Sequence, residues 1–224
     1  MDALRRLQSN TAGLLAQVDE SLARWGAPEQ HPVWPLLRRT GALPGDAVAG
    51  LAGWSPEPWR QQAAALRGHV EAVEAVGDDL ARLPSWEGRA GDAFAAARQR
   101  IGGDTVSWAA RLRADAAYHE ELADALTAGR ASVARELARV AGSAEAVALV
   151  TDVDALAVGG ELMFGPVPTV RAQAAATIAA ALLAGVDTLL TELDELSARG
   201  PLVVETRVVA ADIPSTATTL RVEL

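Results

Sequence analysis

Few residues in this chain could carry chemistry, and the best placed are Asp115 and His119. Four residues apart, they share one face of a helix, and both fall in rows that are otherwise apolar. Such a pair can hold a metal ion or titrate near neutral pH. It can equally be a polar layer that sets the register of two helices, or lie exposed where a seam is uncovered, and this second reading fits the surroundings better. No His-Glu-x-x-His zinc pattern occurs, and a di-iron Glu-x-x-His would need glutamate at the position of Ala116. His31 and His69 stand alone. Gly102-Gly103 and Gly159-Gly160 lack the preceding strand and the lysine of a phosphate loop, and no Gly-x-Ser-x-Gly elbow is present. The acid pairs Asp78-Asp79 and Glu120-Glu121 sit on helical stretches and read as solvated faces. The expectation is therefore no catalytic residue, no metal and no cofactor.

Composition narrows the class further. Half of the 224 residues are hydrophobic, much of that half is alanine, and Phe and Tyr number two and one. Alanine favours helix and lets helices approach closely, so the chain reads as all-α. All twenty basic residues are arginine, which fits a GC-rich genome as well as any function. The net charge of -9 argues against sequence-independent nucleic-acid binding and against docking on an anionic membrane. With no cysteine there is no disulfide frame and no thiolate metal site. Residues 1–10 lack the apolar core of a cleavable signal peptide. The longest apolar run, Ala174 to Val186, is shorter than the roughly 20 residues of a spanning helix, so no membrane span is expected.

Four segments follow along the chain. Residues 1–54 combine an amphipathic helix (Leu4, Leu7, Thr11, Leu14, Val18, Leu22, Trp25) with a connector from Gly26 to Pro58 dense in Pro and Trp. That connector is expected to be ordered but mostly irregular, with one helical turn near Trp34 to Arg39. Residues 55–141 hold two long helices. The first opens at Ser55-Pro56-Glu57 and carries a seam of Trp59, Leu66, Val70, Val73, Gly77 and Leu80. The second carries two rows of seven-residue period: Phe94, Ile101, Trp108 and Leu122, and then Leu112, His119, Leu126, Val133, Val140 and Val147. Because the second row keeps phase across Gly129 and Gly142, one helix from about residue 89 to at least 141, continuing to about Val158, is favoured over a break at either glycine. Residues 142–200 add bundle helices, the last with Val170, Ala174, Ile178, Leu182, Gly185, Leu189, Leu193 and Leu196 on one face and Leu183, Val186 and Leu190 widening it. Residues 201–224 read as a small β tail, strands over 202–209 and 220–224 about a turn at Asp212-Ile213-Pro214-Ser215.

Between the two long helices runs Leu-Pro-Ser-Trp-Glu-Gly-Arg-Ala-Gly-Asp-Ala-Phe, residues 83–94. Pro84 cannot continue a helix, and a new helical pattern starts within six residues, so Trp86 and Gly88 mark the tip of a hairpin. There the indole is suited to plugging the open end of two packed helices, and the glycine to a sharp turn.

Trp86-x-Gly88 at such a tip, Ala93-Phe94 just inside the second helix, heptad helices on each side and a small-residue-rich acidic composition resemble the WXG (Trp-x-Gly) family. These are helical-hairpin proteins handled by the type VII (ESX) secretion systems of actinobacteria and firmicutes. The likeness covers about residues 55–141. It implies an elongated antiparallel helical bundle built on a long hairpin, secreted by a signal-peptide-independent route and acting by protein–protein recognition without catalysis. Its partner would be the secretion machinery, a related helical hairpin or a second copy. By the same likeness Trp86, Gly88 and Phe94 would be read at the tip, while Leu66, Val70, Val73, Leu80, Ile101, Trp108, Leu112, Leu122 and Leu126 form the hairpin seam. The Tyr-x-x-x-Asp/Glu export signal of relatives is not matched, because the one tyrosine is Tyr118 and the residue four later is Leu122. Two other classes remain: a cytoplasmic scaffolding bundle that oligomerises through its tail strands, and a ligand-binding bundle with Asp115 and His119 in a pocket.

Overall fold

The computed structural model describes residues 2–151 and 167–200. Among them all regular structure is helical, in eight helices: α1 (Ala3–Asn10), α2 (Ala12–Trp25), α3 (Val33–Thr40), α4 (Pro44–Gly53), α5 (Glu57–Arg82), α6 (Gly88–Ala141), α7 (Ala144–Val150) and α8 (Val167–Arg199). The expected tail strands, and the Gly159-Gly160 stop, lie outside the described residues.

The expected N-terminal helix is two helices. Thr11 leaves helical geometry at φ -106°, ψ 9°, and its hydroxyl donates to the Leu7 carbonyl at 2.8 Å, so the chain bends there. The Pro/Trp connector is far more helical than expected. Its prolines stand where a missing N–H costs nothing, Pro32 as the cap of α3 and Pro44 in the first turn of α4. Gly41, at φ 63°, ends α3 in a left-handed cap. The start of α3 is closed by His31, whose Nδ1 accepts the Val33 N–H at 3.2 Å. The second long helix begins and ends close to the expected limits. It does not run on to Val158, however: it stops at Ala141, and Ser143 caps α7 by accepting the Ala146 N–H at 3.2 Å.

The core lies around α8. Leu182, Leu183, Ile178, Leu189 and Ala175 are all but inaccessible, and the helix is wrapped by α2, α3, α4, α7 and the C-terminal half of α6. Each buried Leu or Ile contributes about 1.5–3 kcal/mol of transfer free energy. By length and composition α8 would cross a membrane, with a mean hydropathy of 1.7, yet half of that window is buried inside the protein. Its apolar surface is thus accounted for by the bundle. Close approach of α6 and α8 depends on glycine: a Cβ at Gly129 would run into Leu189, and one at Gly185 would stand 3.3 Å from Val133.

One buried cation ties the N-terminal helices to this core. The Arg130 guanidinium, 5% exposed, donates to the carbonyls of Leu51 and Trp54 at the end of α4 and pairs with Asp2. Asp2 also caps α1 by accepting the Leu4 N–H at 2.7 Å, and the Arg130 contact holds its carboxyl below the usual range. Arg5 adds a bond to the Ala52 carbonyl at 2.8 Å. Two arginines therefore satisfy the carbonyls that α4 leaves open at its end.

Helices α5 and α6 run antiparallel. Arg60 with Asp124, Arg67 with Glu120 and Arg113 with Glu74 form ion pairs at successive levels, all on one flank of the helix pair. Of the α5 seam, Val70 is buried and Leu66, Val73 and Leu80 are half-buried; Ala63, outside the expected row, is fully covered. On α6 the row that faces α5 is Gly102, Ala109, Ala116 and Ala123, with Leu112 and His119 beside it. The expected row of Phe94, Ile101 and Trp108 lies one residue off. Ile101 is 46% exposed and Trp108 60% exposed, because small residues, not large ones, let two helices come close. Leu122 and Leu126 are buried, Leu122 against Leu196 of α8 and Leu126 in the main core.

Two outcomes follow from this packing. Arg130→Ala leaves two carbonyls and Asp2 without their donor and should lower unfolding free energy by about 3–5 kcal/mol in denaturant titrations, whereas Arg60→Ala, an exposed pair, should cost under about 1 kcal/mol. His31 has its titration pushed below the ordinary 6.5 by burial. A depressed histidine favours the folded state in its neutral form, so that contribution is complete above pH 6.5 and is lost as pH falls through the lowered value. Wild-type stability should therefore drop on acidification from pH 7 more steeply than that of His31→Gln.

Candidate recognition site at the helical turn

Helix α5 ends because Pro84 offers no N–H and restricts Leu83 to extended geometry, φ -62°, ψ 140°. Residues 83–87 then cross to α6, which starts at Gly88. Gly88 adopts φ 82°, a left-handed conformation that L side chains resist. A second glycine is needed one turn later: a Cβ at Gly91 would overlap the Trp86 carbonyl. Sequence reasoning passed over Gly91, although a glycine inside the first turn of a helix costs about 1 kcal/mol relative to alanine and so marks a packing requirement. Arg98 was also missed; its guanidinium donates to the Leu83 carbonyl at 2.9 Å and ties the end of α5 to α6.

The indole does not plug the end of the helix pair. Trp86 stacks on Phe94 with ring centroids 4.8 Å apart and planes at 19°, and remains 61% exposed. Leu83 is exposed nearby. The turn thus presents a stacked aromatic pair and an apolar neighbour on a backbone held by two glycines and one arginine. No proton donor or acceptor with a displaced titration stands there, so the arrangement suits contact with another macromolecule and not a reaction.

Asp115 and His119 come together, but not as a carboxylate–imidazole pair. His119 Nδ1 is 2.9 Å from the Asp115 backbone carbonyl, and the ring lies among Trp59 and Tyr118 with centroids 5.6 and 5.7 Å away. Among the described residues no group of three His, Cys, Asp or Glu could hold a metal ion. Tyr118 lies half-buried against the end of α8, where the carbon of a side chain at Gly200 would touch its ring.

The glycines at the turn and those in mid-helix should respond with opposite sign. Gly88→Ala is expected to cost about 1–2 kcal/mol for its left-handed φ, and Gly91→Ala more, because the Trp86 carbonyl must move. Gly103 faces open space in a helix, so Gly103→Ala should stabilise by about 0.5–1 kcal/mol. Thermal and denaturant unfolding of the three variants checks the order.

No protein-family model, no curated protein and no solved structure matches this chain.

Proposed function

We propose that this chain is a type VII (ESX) secretion substrate, or the secretion-targeting helical module of one, and that it acts by protein–protein recognition without catalysis. The observation that carries the reading is the exposed Trp86, stacked on Phe94 at the turn between two long antiparallel helices. A tryptophan left largely in water, at a position built from two obligate glycines, suits an aromatic anchor for a partner pocket. The elongated antiparallel bundle of the WXG likeness is the form in which α5 and α6 would present that end to the secretion ATPase. Export would then proceed by a signal-peptide-independent route.

The unmatched Tyr-x-x-x-Asp/Glu signal bears on how the chain is taken up. Leu122, in the place of the acid, is buried under Leu196. A partner carrying the signal would supply it, and Trp86 would supply the other half.

A second reading, a scaffolding bundle that stays in the cytoplasm and oligomerises, draws support from the exposed Ile101 and Trp108. Culture-filtrate assays in a host with a type VII system separate the two. Trp86→Ala should retain the wild-type helical circular dichroism and melting behaviour while secreted protein falls at least about tenfold, the loss of one aromatic anchor. Unchanged export of that variant would remove the secretion reading, and cytoplasmic retention of the wild type would favour the scaffold.

A further inference from the structure

Helix α6 carries a second seam besides the one that meets α5. Residues 118, 122, 125 and 129 alternate at spacings of four and three, and α8 covers them: Gly200 meets Tyr118, Leu196 packs with Leu122 and Ala125, and Leu189 crosses Gly129. Continued toward the turn, the same seam reads Asp115, Arg111, Trp108, Asp104, Ile101, Ala97 and Phe94. Helix α8 ends at Arg199, so among the described residues nothing lies on that stretch. Its apolar members are open: Trp108 and Ile101, with Val76 and Leu83 of α5 at the same levels and on the same flank by helical spacing. The ion pairs of the α5–α6 arm all lie on the opposite flank. One side of the arm is thus laced with charge, and the other is an unpartnered apolar strip.

The charges set into the strip say what fits it. Along α6 they run Arg100, Asp104, Arg111, Asp115, positive and negative in alternation, and none of the four holds an ion pair among the described residues. Reversed, this order is its own complement about a point between Ser107 and Trp108. Two copies of α6 laid antiparallel about that point put Asp104 against Arg111 and Arg100 against Asp115, each twice, with the two Trp108 rings next to the axis. A parallel, in-register pairing would set Asp104 on Asp104 and Arg111 on Arg111. From Phe94 to Asp115 the strip is about 33 Å long and, across two helices, about 20 Å wide, on the order of 660 Å², close to the ~800 Å² per partner of a stable interface.

We infer that this strip is an isologous interface on which a second copy of the same chain docks antiparallel, with its twofold axis beside Trp108. Apolar contact among Trp108, Ile101, Val76 and Leu83 supplies the association, and the Asp104–Arg111 pairs fix the direction. The interface is separate from Trp86 at the turn, so it stands whether or not the chain is exported.

Sedimentation equilibrium of the purified full chain from micromolar to millimolar concentration tests it. The wild type should dimerise, and Trp108→Asp should be monomeric with unchanged helicity, since the indole is exposed. Asp104→Arg and Arg111→Asp should each weaken the dimer about tenfold or more by setting like charges together, and the double variant Asp104→Arg/Arg111→Asp should regain most of the loss. That restoration requires that both residues face each other across two copies. A wild type monomeric throughout, a Trp108→Asp variant that still dimerises, or a double variant weaker than either single one would overturn the proposal.

Discussion

The structure depends on a difference in length. Helix α6 runs 54 residues, about 80 Å, while α8, the helix at the centre of the core, runs 33, about 50 Å. Both start from the same end of the molecule, so α8 stops beside Tyr118 and α6 continues with only α5 against it among the described residues. Everything near α8 is buried on several sides. Everything beyond its end is a two-helix arm whose outer flank is accessible. The functional readings, recognition at the turn and docking along the strip, both belong to this arm.

Small residues make that arm possible. Ala63 and Gly77 on α5 meet Gly102, Ala109, Ala116 and Ala123 on α6, which brings the backbones close without large side chains between them. The consequence is that Ile101 and Trp108 are not needed to join α5 and α6 and stay outside. Two helices bury too little apolar area to be strongly stable alone. The ion-paired flank adds little, because exposed pairs contribute at most about 1 kcal/mol each. The arm is held mainly because α6 is continuous with the core, where Leu137, Val133 and Arg130 anchor its other half.

Arg130 shows how the helical base is unified. A buried guanidinium is costly unless each donor is answered, and here the answers come from the end of α4 and from Asp2, residues far apart in the chain. The same device appears at the start of α4, where half-buried Asp19 accepts the Gly45 N–H at 3.1 Å; burial, chiefly, pushes its carboxyl titration up. Short helices such as α1, α3 and α4 are marginal by themselves, and these remote caps and the α8 core hold them in place.

Much of this was legible in the order of residues. Alanine content and periods of 3.5 to 3.6 determined helix almost throughout; Pro84 with Gly88 determined the turn, and the phase carried across Gly129 a long α6, since local dihedral preference and hydrophobic spacing act over one or two helical turns. What only tertiary structure decided was which row of a helix meets which neighbour. Ile101 and Trp108 repeat with the same period as Ala109 and Ala116, one residue apart, and period alone does not rank two adjacent rows. Burial ranks them, through the closeness that small residues allow and through the point at which α8 runs out. Likewise the helices of the Pro/Trp stretch exist because α8, Asp19 and Arg130 lie in wait for them, contacts between residues 26 to 152 positions apart that no local pattern records.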